Sequence, residues 1–331
     1  MHTHTVDRLS KHAIAATQRD CNNDVRLIIL QDGRRLAYQE YGDRRGFPLF
    51  HCHSHGSSRL EASLFDAAAK KAGFRLVSID RPGTGFSDFD QTSNPNAFAN
   101  DLLALANILG FRTFGLMASG GGAAYALAAC HAFPERAQLM LGVSCIPPKP
   151  VGFLSNISGF PVRLVTELMR LYIALRHRLC AKDPLHYLER LSDTLCFSDR
   201  RLLQNPRLLE AMNKDIEESM RQGARGVAHD ISMSYVNWGF DPGNITIPVL
   251  LWRGSADTLV SQQCAKKFAN TIPNSSLHRV PNRGHFFFLR SMEEVFSAAN
   301  SQLKSNRESK SLLFPSRVDK SSESPLIRAA I

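Results

Sequence analysis

The sequence predicts an α/β fold, a mostly parallel sheet flanked by helices and interrupted by a helical cap insertion. Three observations lead to it. Short apolar strands alternate with helix-period stretches over residues 25–146 and resume over 246–303. Over 147–245 helical periodicity dominates and no buried strand stands out. Finally, Leu116-Met117-Ala118-Ser119-Gly120-Gly121-Gly122-Ala123 joins an apolar strand to a helix start rich in alanine, a strong helix former.

The elements follow in order. Residues 1–24 are polar and irregular, a flexible lead-in. A strand over 25–30 turns at Asp32-Gly33 into a partner over 35–41, an antiparallel hairpin at the front of the sheet. A third strand covers 48–53 and a helix 60–72. The strand over 75–80 ends in the turn Arg81-Pro82-Gly83-Thr84-Gly85. A helix over 96–109 shows an apolar face through Phe98, Leu102, Leu103, Leu105 and Ala106. Strand 111–116 leads into the serine-glycine turn and its helix, and strand 138–144 follows. The cap carries amphipathic helices over 162–179, 184–195, 198–212 and 214–222. Strands over 247–252 and 277–280 resume the sheet, and a helix over 293–303 closes it. Residues 304–331, rich in serine and charge, read as a disordered tail.

Composition excludes several function classes. Hydrophobic residues make up 44% of the 331, enough for a large core. No run approaches the ~18 apolar residues that span a bilayer, and the first residues lack the apolar centre of a secretory signal. A cytoplasmic location is expected. The seven cysteines are scattered, with no C-x-x-C pair, so free thiols are expected rather than disulfides or a cysteine zinc site. The net charge of +10 is dispersed without a dense basic block, which argues against nucleic-acid binding. The arginines of 162–179 leave a contact with a lipid surface open, without insertion. His51, His53 and His55 alternate, but no carboxylate or cysteine spacing supports a metal site, and no cofactor is expected.

A serine pinned between strand and helix, with glycine beyond it, has the layout of a nucleophile elbow. There a strained turn lifts the hydroxyl clear, and the following amide faces a developing oxyanion. Ser119 is the expected nucleophile and Gly120 the expected amide. Asp257 follows the strand over 247–252, and His285 follows the last strand, 28 residues further on. All three fall at the carboxyl ends of strands, where open α/β sheets place their sites. Each has a structural alternative: a turn serine, a helix N-cap aspartate, a packed histidine. The chemistry needs these types together. The imidazole takes the hydroxyl proton, and the carboxylate fixes the tautomer.

The chain resembles the α/β-hydrolase-fold serine hydrolases with a helical cap, over about residues 25–303. His53-Ser54-His55-Gly56-Ser57-Ser58-Arg59 is similar to the family's H-G-x-P-G-S-R loop, and Asp80-Arg81-Pro82-Gly83-Thr84-Gly85-Phe86-Ser87 to its D-x-P-G-x-G-x-S turn. The resemblance implies that the amide of His55 is the second oxyanion donor. It departs at Met117, where the family carries glycine, and at Ser54, which replaces the glycine of the H-G pair.

The expectation is a serine hydrolase that cleaves an ester, thioester or lactone through an acyl-enzyme. Ser119, Asp257 and His285 form the triad, and a small molecule with a largely apolar group is the partner. The cap residues Phe153, Leu168, Met169 and Tyr172 supply the apolar lining. The alternatives are a non-catalytic ligand-binding or regulatory member, a cofactor-free oxygenase, and a carbon–carbon hydrolase on the same fold.

Overall fold

The computed structural model describes residues 18–19, 24–147, 168, 171–172, 175, 193–233 and 237–313. Strands β1 (Gln18–Arg19), β2 (Arg26–Ile29), β3 (Arg35–Gly42), β4 (Phe47–Cys52), β5 (Phe74–Ile79), β6 (Phe114–Ser119), β7 (Ala137–Val143), β8 (Val249–Gly254) and β9 (Ser275–Val280) form one sheet. Their order is β1-β2-β3-β5-β4-β6-β7-β8-β9. The first three are antiparallel, and β3 also lies antiparallel to β5. From β5 onward every pairing is parallel. The chain passes from β4 to β5 on one side, then crosses to β6 on the other. The crevice at the carboxyl ends of β4 and β6 is therefore the switch point of the sheet.

Alternation along the strands sends side chains into two cores. Leu116 and Ala118 of β6 meet α2 (Pro95–Ile108) and α3 (Ala123–Ala132) through Phe98, Leu102 and Leu127. Met117 faces α1 (Asp66–Ala72) and the long closing helix through Ala69, Phe288 and Phe296. Alanines at 123, 124, 126, 128 and 129 are all buried, so α3 lies pressed against the sheet.

Between β7 and β8, α4 (Phe197–Leu203), α5 (Pro206–Ser219) and α6 (Ala224–Ser232) precede the return to the sheet. Ion pairs dock them. Arg59 bridges Asp80 and Glu218 of α5 at 2.7 and 2.6 Å, and Arg81 grips Asp230 of α6. Asp215 of α5 accepts hydrogen bonds from the amide and hydroxyl of Ser58 and the hydroxyl of Ser57. After β8 come α7 (Gln262–Asn270) and, after β9, α8 (Phe288–Leu313).

The structure departs from the expected elements at six places. The first half of the helix expected over 60–72 is a 3-10 helix, Arg59–Phe65, capped by the Ser58 side chain. The lead-in contains β1, which pairs Gln18 with Leu27 and Arg19 with Arg26. The strand expected over 111–116 runs instead over Phe114–Ser119, because the amide of Phe111 closes the end of α2 on Ala106. The helix expected over 198–212 breaks at Gln204–Asn205. There the Asn205 side chain accepts from the amides of Arg207 and Leu208, and Pro206 opens the next helix. Helix α6 was not expected at all. The closing helix extends to Leu313, ten residues into the expected tail; Leu303 is buried and the Asn306 side chain donates to the Gln138 carbonyl. The helices expected over 162–179 and 184–195 lie outside the described residues, apart from Leu168, Leu171, Tyr172 and Leu175, which are exposed. Phe153 and Met169 lie outside the described residues as well.

Candidate active site

Two loops beyond the ends of β8 and β9 bring Asp257 and His285 together. His285 Nδ1 lies 3.0 Å from Asp257 Oδ2. The other carboxylate oxygen accepts the amides of Leu259 and Val260 at 2.8 and 2.9 Å. Arg253, at the end of β8, holds this loop by donating to the carbonyls of Val260 and Asp257. Burial works to raise the Asp257 carboxyl. The hydrogen bond and charge of His285, with the two amides, outweigh it and hold the group below its ordinary value. An ionised Asp257 keeps the ring proton on Nδ1 and leaves the Nε2 lone pair to act as a base.

The His285 loop is fixed from three sides. Its amide donates to Asp199 Oδ2 at 2.6 Å, and that of Phe286 to Asp199 Oδ1 at 3.1 Å. The Ser144 hydroxyl donates to the His285 carbonyl. Sequence reasoning did not single out Asp199. No local spacing links a residue of the insertion to a loop 86 positions later.

The elbow differs from the expectation by one residue. Ser119 is the last residue of β6, extended at φ −110°, ψ 137°, and fully buried. The left-handed apex of the turn, φ +49°, is Gly120. Ser119 therefore does not carry the lifted hydroxyl of the turn. Its Oγ lies 3.2 Å from His51 Nε2, and no hydrogen bond joins it to His285. His51 in turn has Ser78 Oγ 2.9 Å from Nδ1 and Glu61 Oε2 3.2 Å from Nε2. Burial works to raise Glu61, but hydrogen bonds from His51 and Ser54 outweigh it and hold the carboxyl at about 2. Ser119 Oγ is thus engaged with His51, whose ring is flanked by Ser78 and Glu61, rather than with His285.

The clue lay in the small residues around the turn. An elbow crowds the positions two before and two after its apex. Centred on Ser119 these are Met117 and Gly121; centred on Gly120 they are Ala118 and Gly122. Both members of the second pair are small. A Cβ on Gly122 would overlap the carbonyls of Cys52 and His53, so glycine is required there.

His55 and Ser54 approach this apex from the loop after β4. The His55 ring lies over Gly121, where a Cβ would overlap its Nε2. Its Nδ1 is 3.0 Å from Asp230 Oδ2, and Arg81 donates to both oxygens of the same carboxylate. Burial works to raise Asp230; the charges of Arg81 and His55 outweigh it and hold it well below the ordinary range. The amide of Ser54 donates to Glu61 at 3.0 Å. With the apex at Gly120, the amide that follows it is that of Gly121, not the Gly120 amide expected from the sequence.

His53 is buried, with Nδ1 2.9 Å from the Ser54 carbonyl. Among the described residues no cluster of three His, Cys, Asp or Glu side chains could hold a metal ion. Cys52, Cys130, Cys145, Cys196 and Cys264 are free thiols. Among the described residues, no helix is long and apolar enough to cross a membrane.

A profile described as the alpha/beta hydrolase family matches residues 49–299. A non-heme chloroperoxidase of Streptomyces lividans is 25% identical over 258 residues, 76% of this chain and 89% of that protein. Among solved structures, a thermophilic esterase from Thermogutta terrifontis superposes with a TM-score of 0.64 at 21% identity, covering 84% of this chain and 96% of the esterase. The enol-lactonase from Burkholderia xenovorans superposes with a TM-score of 0.63 at 14% identity, covering 84% and 99%. The likeness to these two structures is one of fold.

Proposed function

Because the chain belongs to the alpha/beta hydrolase family, we propose that it hydrolyses an ester, thioester or lactone carrying a largely apolar group. His285 is the general base and Asp257 the group that orients it. One observation carries the reading: His285 Nδ1 and Asp257 Oδ2 stand 3.0 Å apart while two amides fix the second carboxylate oxygen. With Nδ1 engaged by the carboxylate, Nε2 is the ring nitrogen left for proton transfer. Nε2 can then take a proton from an attacking hydroxyl and return it to the leaving oxygen or sulfur. In this reading the amide of Gly121, which follows the apex, donates to the oxyanion. Esterase and enol-lactonase activities in proteins of the same fold name the substrates to try first.

The test is a panel of p-nitrophenyl esters of increasing chain length, thioesters and lactones, with wild type and His285→Ala. Turnover that falls at least 100-fold in the variant supports the reading. A folded wild type that turns over none of them rejects it.

A second reading, a ligand-binding member without turnover, is favoured by Gly120, which leaves the elbow apex without a side chain. Under that reading the same esters or their products bind but stay intact. Calorimetry beside the turnover assay separates the two.

A further inference from the structure

We propose that Ser54 supplies the attacking hydroxyl of this site, in place of a side chain at the elbow apex; this rests on the carbonyl-hydrolase reading above. Ser54 stands where the resembling loop has glycine, and its position explains the exchange. A Cβ built on Gly120 would have Ser54 Oγ, Cβ and Cα as its nearest heavy atoms, at 3.3, 3.5 and 3.8 Å. The space in which an apex side chain would start is thus bordered by the Ser54 side chain.

The hydroxyls around the site divide cleanly. Those of Ser57 and Ser58 donate to Asp215, and that of Ser144 donates to the His285 carbonyl. Ser78 and Ser119 are held by His51, and Ser87 donates to the Asp80 carbonyl. Ser54 Oγ makes no hydrogen bond among the described residues, and Ser54 is less buried than these six. Its backbone, by contrast, is held on both sides. The amide donates to Glu61, and the carbonyl accepts from Arg81 Nη2 at 3.2 Å and from the amide of Ser57. A fixed backbone places this hydroxyl, and without a partner of its own it is open to engagement by His285 once a substrate is bound.

In the step, Ser54 Oγ forms a bond to the carbonyl carbon and its proton passes to His285 Nε2. The tetrahedral oxyanion collapses, breaking the bond to the alcohol, thiol or ring oxygen. That leaving atom takes the proton back from Nε2. Water then attacks the Ser54 ester, gives a proton to Nε2 and releases the carboxylic acid, and Nε2 returns that proton to Ser54 Oγ. One water is consumed and no oxidant or reductant is needed.

The test uses the full-length chain with a fluorophosphonate probe and a p-nitrophenyl ester. Intact mass, peptide mapping and burst kinetics are measured for wild type, Ser54→Ala, Ser54→Cys and His285→Ala, with circular dichroism to confirm the fold. The expected result is one adduct on the peptide containing Ser54, and a loss of turnover of at least 100-fold in Ser54→Ala. In Ser54→Cys, an acyl-thioester should be trapped on residue 54. An adduct on another residue overturns the inference. So does Ser54→Ala keeping its turnover while His285→Ala loses it, an outcome that leaves the hydrolase reading standing. No turnover and no adduct in folded wild type overturns both.

Discussion

Asp199 Oδ2 accepts the backbone amide of His285 at 2.6 Å, and its other oxygen accepts the next amide. The carboxylate comes from the first turn of α4 and is fully buried. A residue from between β7 and β8 therefore fixes the backbone of the loop that carries His285. Gly284 makes the room, since a Cβ there would overlap the Asp199 carboxylate. Burial works to raise the Asp199 carboxyl above its ordinary value, while the two amides work to lower it.

Asp199→Ala leaves both amides buried and unpaired, at about 1–3 kcal/mol each. The expected outcome is a melting temperature several degrees lower. In the carbonyl assay kcat should fall more than KM changes, because the base loses its alignment with the reacting atom rather than the pocket losing contacts. Asp199→Asn keeps one acceptor and should fall between. A variant that melts like wild type would show that the chelate contributes nothing.

Placing a hydroxyl at the apex should move the chemistry. Gly120→Ser introduces a side chain at φ +49°, a strain of about 1–3 kcal/mol. Its Cβ would stand 3.3 Å from Ser54 Oγ, tight but without overlap. In the double variant Ser54→Ala, Gly120→Ser that neighbour is removed. Fluorophosphonate labelling lost in Ser54→Ala should return in the double variant, mapped to residue 120. Labelling that stays absent in a folded double variant would show that residue 120 does not face the base.

The sheet was legible because its strands are short, apolar and punctuated by glycine and proline. The order of Asp257 and His285 was legible because both follow such strands. The one-residue shift from Ser119 to Gly120 was hidden in a run of three glycines, where any of several frames gives a serine-glycine turn. The strand starts only at Phe114, because Phe111 closes α2, and its register against β7 shifts between Phe114 and Leu116; neither is readable from the motif. The break before Pro206 was readable from Asn205-Pro206 and was overridden by helical periodicity. Asp199 and Asp230 were invisible as site residues, because tertiary contact alone brings them to His285 and His55.

His53 makes folding sensitive to acid. Burial, with the Arg81 charge beside it, pushes its pKa down to about 3 from an ordinary value near 6.5. The folded pKa is depressed, so the unfolded chain takes up a proton that the folded chain refuses. Stability is full above pH 6.5 and falls as the pH drops toward 3, by about 1.4 kcal/mol per pH unit for this group alone. Chemical unfolding of wild type and His53→Gln at pH 7.5 and pH 5 measures it. The variant should lose less stability between the two pH values. Equal losses would remove His53 from the account.

Arg81 and Asp230 tie the insertion to the core through a fully buried pair. Arg81 Nε and Nη2 donate to the two oxygens of Asp230 at 2.7 and 2.6 Å, while Nη1 donates to the His53 carbonyl. Asp230→Leu leaves the guanidinium buried with no counter-charge, a loss of about 3–5 kcal/mol, larger than the value of the pair itself. Replacing both, Arg81→Met with Asp230→Leu, removes the stranded charge. The double variant is therefore expected to be more stable than Asp230→Leu alone. It should stay below wild type, because the carbonyls of His53 and Ser54 lose a donor. Denaturant unfolding of the three proteins gives the ranking. A double variant less stable than Asp230→Leu would show that Arg81 contributes chiefly through those two carbonyls, and its pairing with Asp230 would then be secondary.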